Sequence, residues 1–140
     1  MRLLYSLSVK DMKEKKLLIR KNGHSIALVR DCSSVWSMGI GLIGSREPAI
    51  QGGLYSGVLF HIPGYRRKCS GFINSIHMIG MRFPVSVFWL NGNTVVDAAY
   101  AFPGLHVYCP GHPATHVIEL NKEAIDEISV GDLLSIGRIS

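Results

Sequence analysis

The chain of 140 residues is one domain's worth of sequence at roughly 100–200 residues per domain, which excludes a multidomain enzyme and a large repeat array. With 47% hydrophobic and 18% charged residues it lies well away from disordered compositions, and a core of this size needs no metal or disulfide staple. The formal net charge of +5 divides unevenly: Met1 to Arg30 carries eight basic and two acidic residues, whereas Gly111 to Ser140 carries two basic and five acidic.

The basic run is Lys10, Lys13, Lys15, Lys16, Arg20 and Lys21, with Tyr5 as the one aromatic residue nearby. Single-strand binders interleave aromatics with basic residues as stacking platforms, so nucleic acid is disfavoured as a partner and a solvated basic edge is the expectation. Residues 1–16 read as a basic segment, flexible or edge-pairing, ahead of a single domain over 1–140. Lys16 to Lys21, Asn22-Gly23 and His24 to Arg30 make two β-prone runs about a two-residue turn, and both turn residues tolerate the positive φ of a type I′ hairpin. Ser33 and Ser34 are placed to cap a short helix through Ile40, against which three nearby glycines count. Val58 to Ile62 reads as a strand stopped by Pro63-Gly64, and Arg66-Arg67-Lys68 as a solvated loop.

The second half continues in the same style. Gly71 to Met78, Pro84 to Leu90, Thr94 to Phe102, Thr115 to Leu120 and Val130 to Ile136 read as strands, with a turn at Asn91-Gly92-Asn93 and a short acidic helical turn over Lys122 to Ile128. Val85, Val87 and Trp89 alternate with Ser86, Phe88 and Leu90, so both faces of that strand are largely apolar and it belongs in a core. About seven short strands with frequent Gly and Pro punctuation predict a mainly β fold: a small, closed or nearly closed antiparallel β-barrel with one or two short helices.

The stretch Ile76-His77-Met78-Ile79-Gly80-Met81-Arg82-Phe83-Pro84-Val85-Ser86-Val87-Phe88-Trp89-Leu90-Asn91 resembles the core pattern of the uncharacterised family known as domain of unknown function 192, which is similar to His-Thr-x-x-Met-Arg-Phe-Pro-Ile-Asp-Val-x-Phe-Leu-Asp. Gly41 to Arg46, Gly57 to Phe60, Glu119-Leu120 and Val130 to Leu133 agree with it in order and spacing, so the resemblance covers roughly Asn22 to Ile136. It implies a small closed β-barrel and no established activity. Ser86 stands where the family has Asp and Met78 where it has Thr, and the Gly that follows its Glu-Leu-Pro-Ala is lost around Asn121 to Ala124. The chain thus resembles a divergent relative of the family, and if the family's Asp serves as a catalytic or metal-binding carboxylate, that role is closed to this chain.

Site chemistry is sparse. His77, Arg82 and Arg46 are the polar residues expected at a barrel rim, where a convergent ligand pocket can form; the alternative pairs Arg82 with Glu119 or Asp132. His106, Cys109, His112 and His116 place four nitrogen or sulfur ligands within eleven residues, a spacing suggestive of zinc, though no Cys-x-x-Cys knuckle supports it. No other cofactor is indicated. Gly39-Ile40-Gly41-Leu42-Ile43-Gly44 has the spacing of a dinucleotide loop without the strand, helix and acidic residue that it needs. There is no nucleophile elbow, and no nucleophile, base and orienting group can be named together. The three cysteines are far apart, and neither a signal peptide nor a run of about 18 apolar residues is present, so a reduced cytoplasmic protein with no membrane partner is expected. The reading is a small-ligand or partner-binding module, monomer or homodimer, ahead of a metal-dependent or hydrolytic enzyme or a nucleic-acid binder.

Overall fold

The computed structural model describes residues 15–32, 46–69 and 71–139. Among these residues nine strands occur in chain order: β1 (Lys16–Lys21), β2 (His24–Cys32), β3 (Tyr55–His61), β4 (Ile76–His77), β5 (Val85–Asn91), β6 (Thr94–Ala101), β7 (Val107–Tyr108), β8 (His116–Asn121) and β9 (Leu134–Arg138). Seven form one curled sheet in the order β6-β5-β8-β3-β2-β1-β9, and β4 pairs with β7 separately. The two edges of the large sheet meet at a bridge between Thr94 and Leu133. There Val95 N–H donates to Asp132 O at 2.9 Å, Gly131 N–H to Val95 O at 2.8 Å and Leu134 N–H to Asn93 O at 2.8 Å, so the half-barrel is drawn nearly closed.

The mainly β barrel that the strand count predicts is therefore what forms, with two differences in detail. One pairing, β2 with β3, is parallel. Parallel neighbours need a long crossover, and the chain between Cys32 and Tyr55 supplies it. No α-helix occurs among the described residues; the helical pieces are 3-10 turns at Gly64–Arg66, Gly71–Asn74 and Lys122–Asp126. The helix expected from Ser33 to Ile40 and the glycine motif at 39–44 lie outside the described residues. So does nearly all of the segment before Lys16, while β1 itself is paired on both sides, by β2 and β9. No helix among the described residues is long and apolar enough to cross a membrane.

The first hairpin forms as its turn demands. Asn22 and Gly23 have φ of 53° and 78°, the left-handed pair of a type I′ turn. A bulge between Ile19 and Arg20 adds local twist, as does one between Trp89 and Leu90 in the β5–β6 hairpin.

Two hydrophobic clusters lie on opposite faces of the sheet. The inner one draws on all seven strands, including Ile19, Ala27, Leu59, Phe88, Val95, Ile118 and Leu134, and only the concave side of a curled sheet brings all seven together. Ala124 and Ile128, in and just after the 3-10 turn at Lys122–Asp126, plug it. The outer cluster joins Val58, Phe60, Val85, Val87, Trp89 and Val117 to Ile62, Ile76, Met78 and Phe83 from the long connection between β3 and β5. β5 lies between the clusters, which is why six of its seven residues are buried.

The expected strand over Gly71 to Met78 shrinks to Ile76–His77 because Gly71 adopts φ 74° and buried Asn74 curls the chain. Asn74 Nδ2 donates to the carbonyls of Arg66 and Cys69, both at 3.0 Å, and its carbonyl accepts the Trp89 indole N–H at 3.1 Å. In the loop Arg66-Arg67-Lys68, Arg67 and Lys68 are exposed and Arg66 is half-buried, and two of its side chains are also held: Arg66 Nε donates to Asn74 Oδ1 at 3.2 Å and Arg67 Nε to Ile62 O at 3.0 Å. The closing strand begins at Leu134, later than Val130, since Gly131 at φ 96° and the Ser129–Asp132 turn come first.

Candidate functional site

Alternation along β2, β3 and β8 turns Ala27 and Val29, Leu59, and Ile118 and Leu120 to the inner cluster. The same parity brings Asp31, His61 and His116 to the inner face at one end of these strands. His61 and His116 are direct partners in the antiparallel β3–β8 register. Their rings meet edge to face, with centroids 4.9 Å apart at 68°. Asp31 Oδ1 lies 2.7 Å from His61 Nε2, and the two side chains are 21% and 35% exposed, so the pair is reachable from solvent.

His116 Nδ1 lies 2.8 Å from Thr115 Oγ1, which also accepts Gly92 N–H at 2.9 Å and lies 3.2 Å from Leu90 O. A hydroxyl has one proton, so when Leu90 O takes it the His116 ring must donate through Nδ1. Burial first, then the charges of His61 and Arg67, push the His116 pKa down to about 4, against the pull of Asp31. His116 is thus a neutral imidazole at neutral pH, oriented by a hydroxyl, beside a histidine oriented by a carboxylate.

A second feature lies on the outer face. A cavity of about 370 Å³ is lined by Lys16, Arg30, Pro48, Gln51, Ser56 and Val58 among others, with no carboxylate among the described residues of its wall. Asn121 builds its rim: Asn121 Nδ2 donates to Pro48 O at 2.6 Å and Oδ1 accepts Ser56 N–H at 2.7 Å, while Ser56 Oγ donates to Ala49 O at 2.9 Å. Below Val58, at its register partner on β8, lies Glu119, whose burial pushes its carboxyl up to about 7. Beside this row Gly57 has no room for a side chain, since a Cβ would collide with the Glu119 carbonyl.

The residues singled out from sequence are distributed differently. His77, Arg82 and Arg46 are all exposed, and none lines the cavity. Asp132, one expected partner of Arg82, binds Lys21 Nζ at 2.8 Å, and Glu119, the other, is buried. Of the four proposed zinc ligands, His106 packs against Tyr108 at 6.3 Å, Cys109 is exposed, His112 Nδ1 lies 3.0 Å from Asp97 Oδ2, and His116 faces His61. The three histidines go to separate partners, and among the described residues no group of three or more His, Cys, Asp or Glu is arranged to hold a metal ion. Ser86, at the position of the resembled family's Asp, is fully buried and donates from Oγ to Lys122 O at 2.7 Å, anchoring the plug turn.

Two solved structures are similar over nearly the whole chain. One is a "putative transcription regulator" from Sinorhizobium meliloti 1021, 17% identical, covering 88% of this chain and 93% of that one, with a TM-score of 0.67. The other is a protein of unknown function from Novosphingobium aromaticivorans DSM 12444, 15% identical, covering 86% of this chain and 83% of that one, with a TM-score of 0.68. The fold is a shared one. At such identity the likeness speaks for architecture alone. No family model matches the chain, and no curated protein matches it.

Proposed function

We propose that this barrel is a small-molecule binding module whose ligand is anionic or rich in oxygen acceptors and sits in the outer-face cavity. The supporting observation is the wall itself: Lys16 and Arg30 bring donors that cannot accept, no carboxylate lines it among the described residues, and apolar Pro48 and Val58 lie beside them. At about 370 Å³ the space falls at the lower end of small-molecule sites, which suits a compact metabolite and not an extended polymer. A nucleic-acid role draws only on the name of one structural neighbour and on the basic N-terminal run, and Lys21 of that run is committed to Asp132 and to Glu127 O at 2.6 Å.

Calorimetric titration with inorganic phosphate and with a small dicarboxylate tests this reading. Saturable binding of either probe is expected, and Lys16→Glu should weaken it at least tenfold, or about 1.4 kcal/mol. Absence of binding, or binding indifferent to Lys16→Glu, removes the proposal.

A further inference from the structure

We propose that His61 and His116 form a two-histidine chelate for a divalent transition metal, zinc or copper(II), independent of the outer-face cavity. The residues are opposite each other on adjacent antiparallel strands, a placement that sets their Cβ atoms about 4.5–5.5 Å apart. Their rings converge, with centroids 4.9 Å apart. On each ring one nitrogen is engaged by the protein, His61 Nε2 by Asp31 Oδ1 and His116 Nδ1 by Thr115 Oγ1. That leaves His61 Nδ1 and His116 Nε2 as the donor pair. A carboxylate or hydroxyl behind each imidazole is the arrangement that orients metal-ligating histidines and raises their basicity.

The donors choose the metal class. Imidazole nitrogen suits zinc, copper and nickel, whereas magnesium and calcium require oxygen ligands. Two protein donors leave further coordination positions, and the 35% exposure of the His61 side chain opens them to solvent. Arg67, whose Nε is held by Ile62 O and whose charge reaches His116, favours an anionic co-ligand there over a bare cation. The sequence spacing that gathers His116 with His106, Cys109 and His112 is thereby replaced by a strand-register pairing with His61.

Metal-free protein titrated with zinc chloride and with copper(II) chloride, read against a chromophoric chelator, tests the site. One equivalent should bind, His61→Asn and His116→Asn should each weaken it more than tenfold, and Asp31→Asn by roughly 10- to 100-fold. His106→Asn and His112→Asn should leave it unchanged. Because a substituted ring can disturb the barrel, the wild-type protein gives a second reading: sub-stoichiometric copper(II) should broaden the imidazole resonances of His61 and His116 before those of His24, His106 and His112. Non-saturable binding, equal broadening of all histidines, or full affinity in His116→Asn would each overturn the proposal.

Discussion

The two faces of the sheet are held by different means. On the inner face one residue from each turn of the strand alternation enters a single apolar cluster, and the plug at Ala124 and Ile128 completes it. On the outer face an irregular connection lies over the strands, and polar groups fix it: Asn74 under Trp89, Arg66 and Arg67 on carbonyls, Asn121 on Pro48. Periodic hydrophobicity thus builds the barrel, while individual hydrogen bonds determine how the second layer rests on it. The candidate sites follow the same division, since the histidine pair ends the regular inner register and the cavity opens where the outer layer is pinned.

The largest effect should come from the residue that joins both means. Trp89 is 1% exposed in the outer cluster and donates its indole N–H to Asn74 O. Trp89→Ala should cost about 4 kcal/mol through the cavity it leaves, with a further contribution from the orphaned carbonyl. Trp89→Phe keeps most of the apolar area, so it isolates the hydrogen bond and should cost about 1 kcal/mol in a urea titration. Equal losses in the two variants would mean that packing is not what the indole contributes.

Glu119 tests whether the outer face tolerates its buried carboxyl. Burial raises its pKa from the ordinary 4.5 to about 7, so folding takes up a proton between those values and stability falls as pH climbs through that window. Above it the penalty is complete, about 3 kcal/mol at most, and below pH 4.5 it vanishes. Glu119→Gln should therefore be more stable than the wild type near pH 8 and indistinguishable from it near pH 4. Urea midpoints at both ends decide it: a difference that does not vary with pH would place the carboxyl in water.

Asn74→Ala removes three side-chain hydrogen bonds and leaves the carbonyls of Arg66 and Cys69 unmatched, at about 2 kcal/mol. Its effect should be regional. Amide exchange should quicken over residues 64–78 and stay slow in β1 and β2, because the inner cluster does not include that connection. Uniform acceleration across the molecule would show that the two layers unfold as one.

These differences also explain what could be read from sequence. The turn of the β1–β2 hairpin was legible because Asn22-Gly23 specifies its own geometry, although β2 runs on past Arg30 to Cys32, and β5 was legible as a doubly buried strand because both its parities are apolar. Gly71 to Met78 was not, since Asn74 bends it through bonds to distant carbonyls that no local pattern announces. The parallel β2–β3 pairing and the His61–His116 contact are properties of register between strands far apart in the chain. His116 stood out in the sequence, but its neighbours along the chain supplied the wrong partners. Asp31 and His61 carried no signal beyond a polar residue at the end of an apolar strand.

The smallest expected effect concerns the seam where the barrel nearly closes. Lys21 Nζ reaches Asp132 Oδ2 at 2.8 Å and Glu127 O at 2.6 Å, tying the first hairpin to the turn before β9. That bond, with the Ser129 N–H as the second contribution, holds the Asp132 carboxyl below its usual range. Both side chains of the ion pair are about a quarter exposed, at 27% and 24%, so solvent screens them. Lys21→Met should cost less than about 1 kcal/mol, and the difference from the wild type should shrink at high salt. Backbone hydrogen bonds at Val95, Gly131 and Leu134 already close the same seam, and they survive the substitution. If thermal melts at low and high salt show instead a loss comparable to Trp89→Ala, closure of the inner barrel depends on a single side-chain contact, and the distinction between a periodic inner face and a pinned outer one fails at its edge.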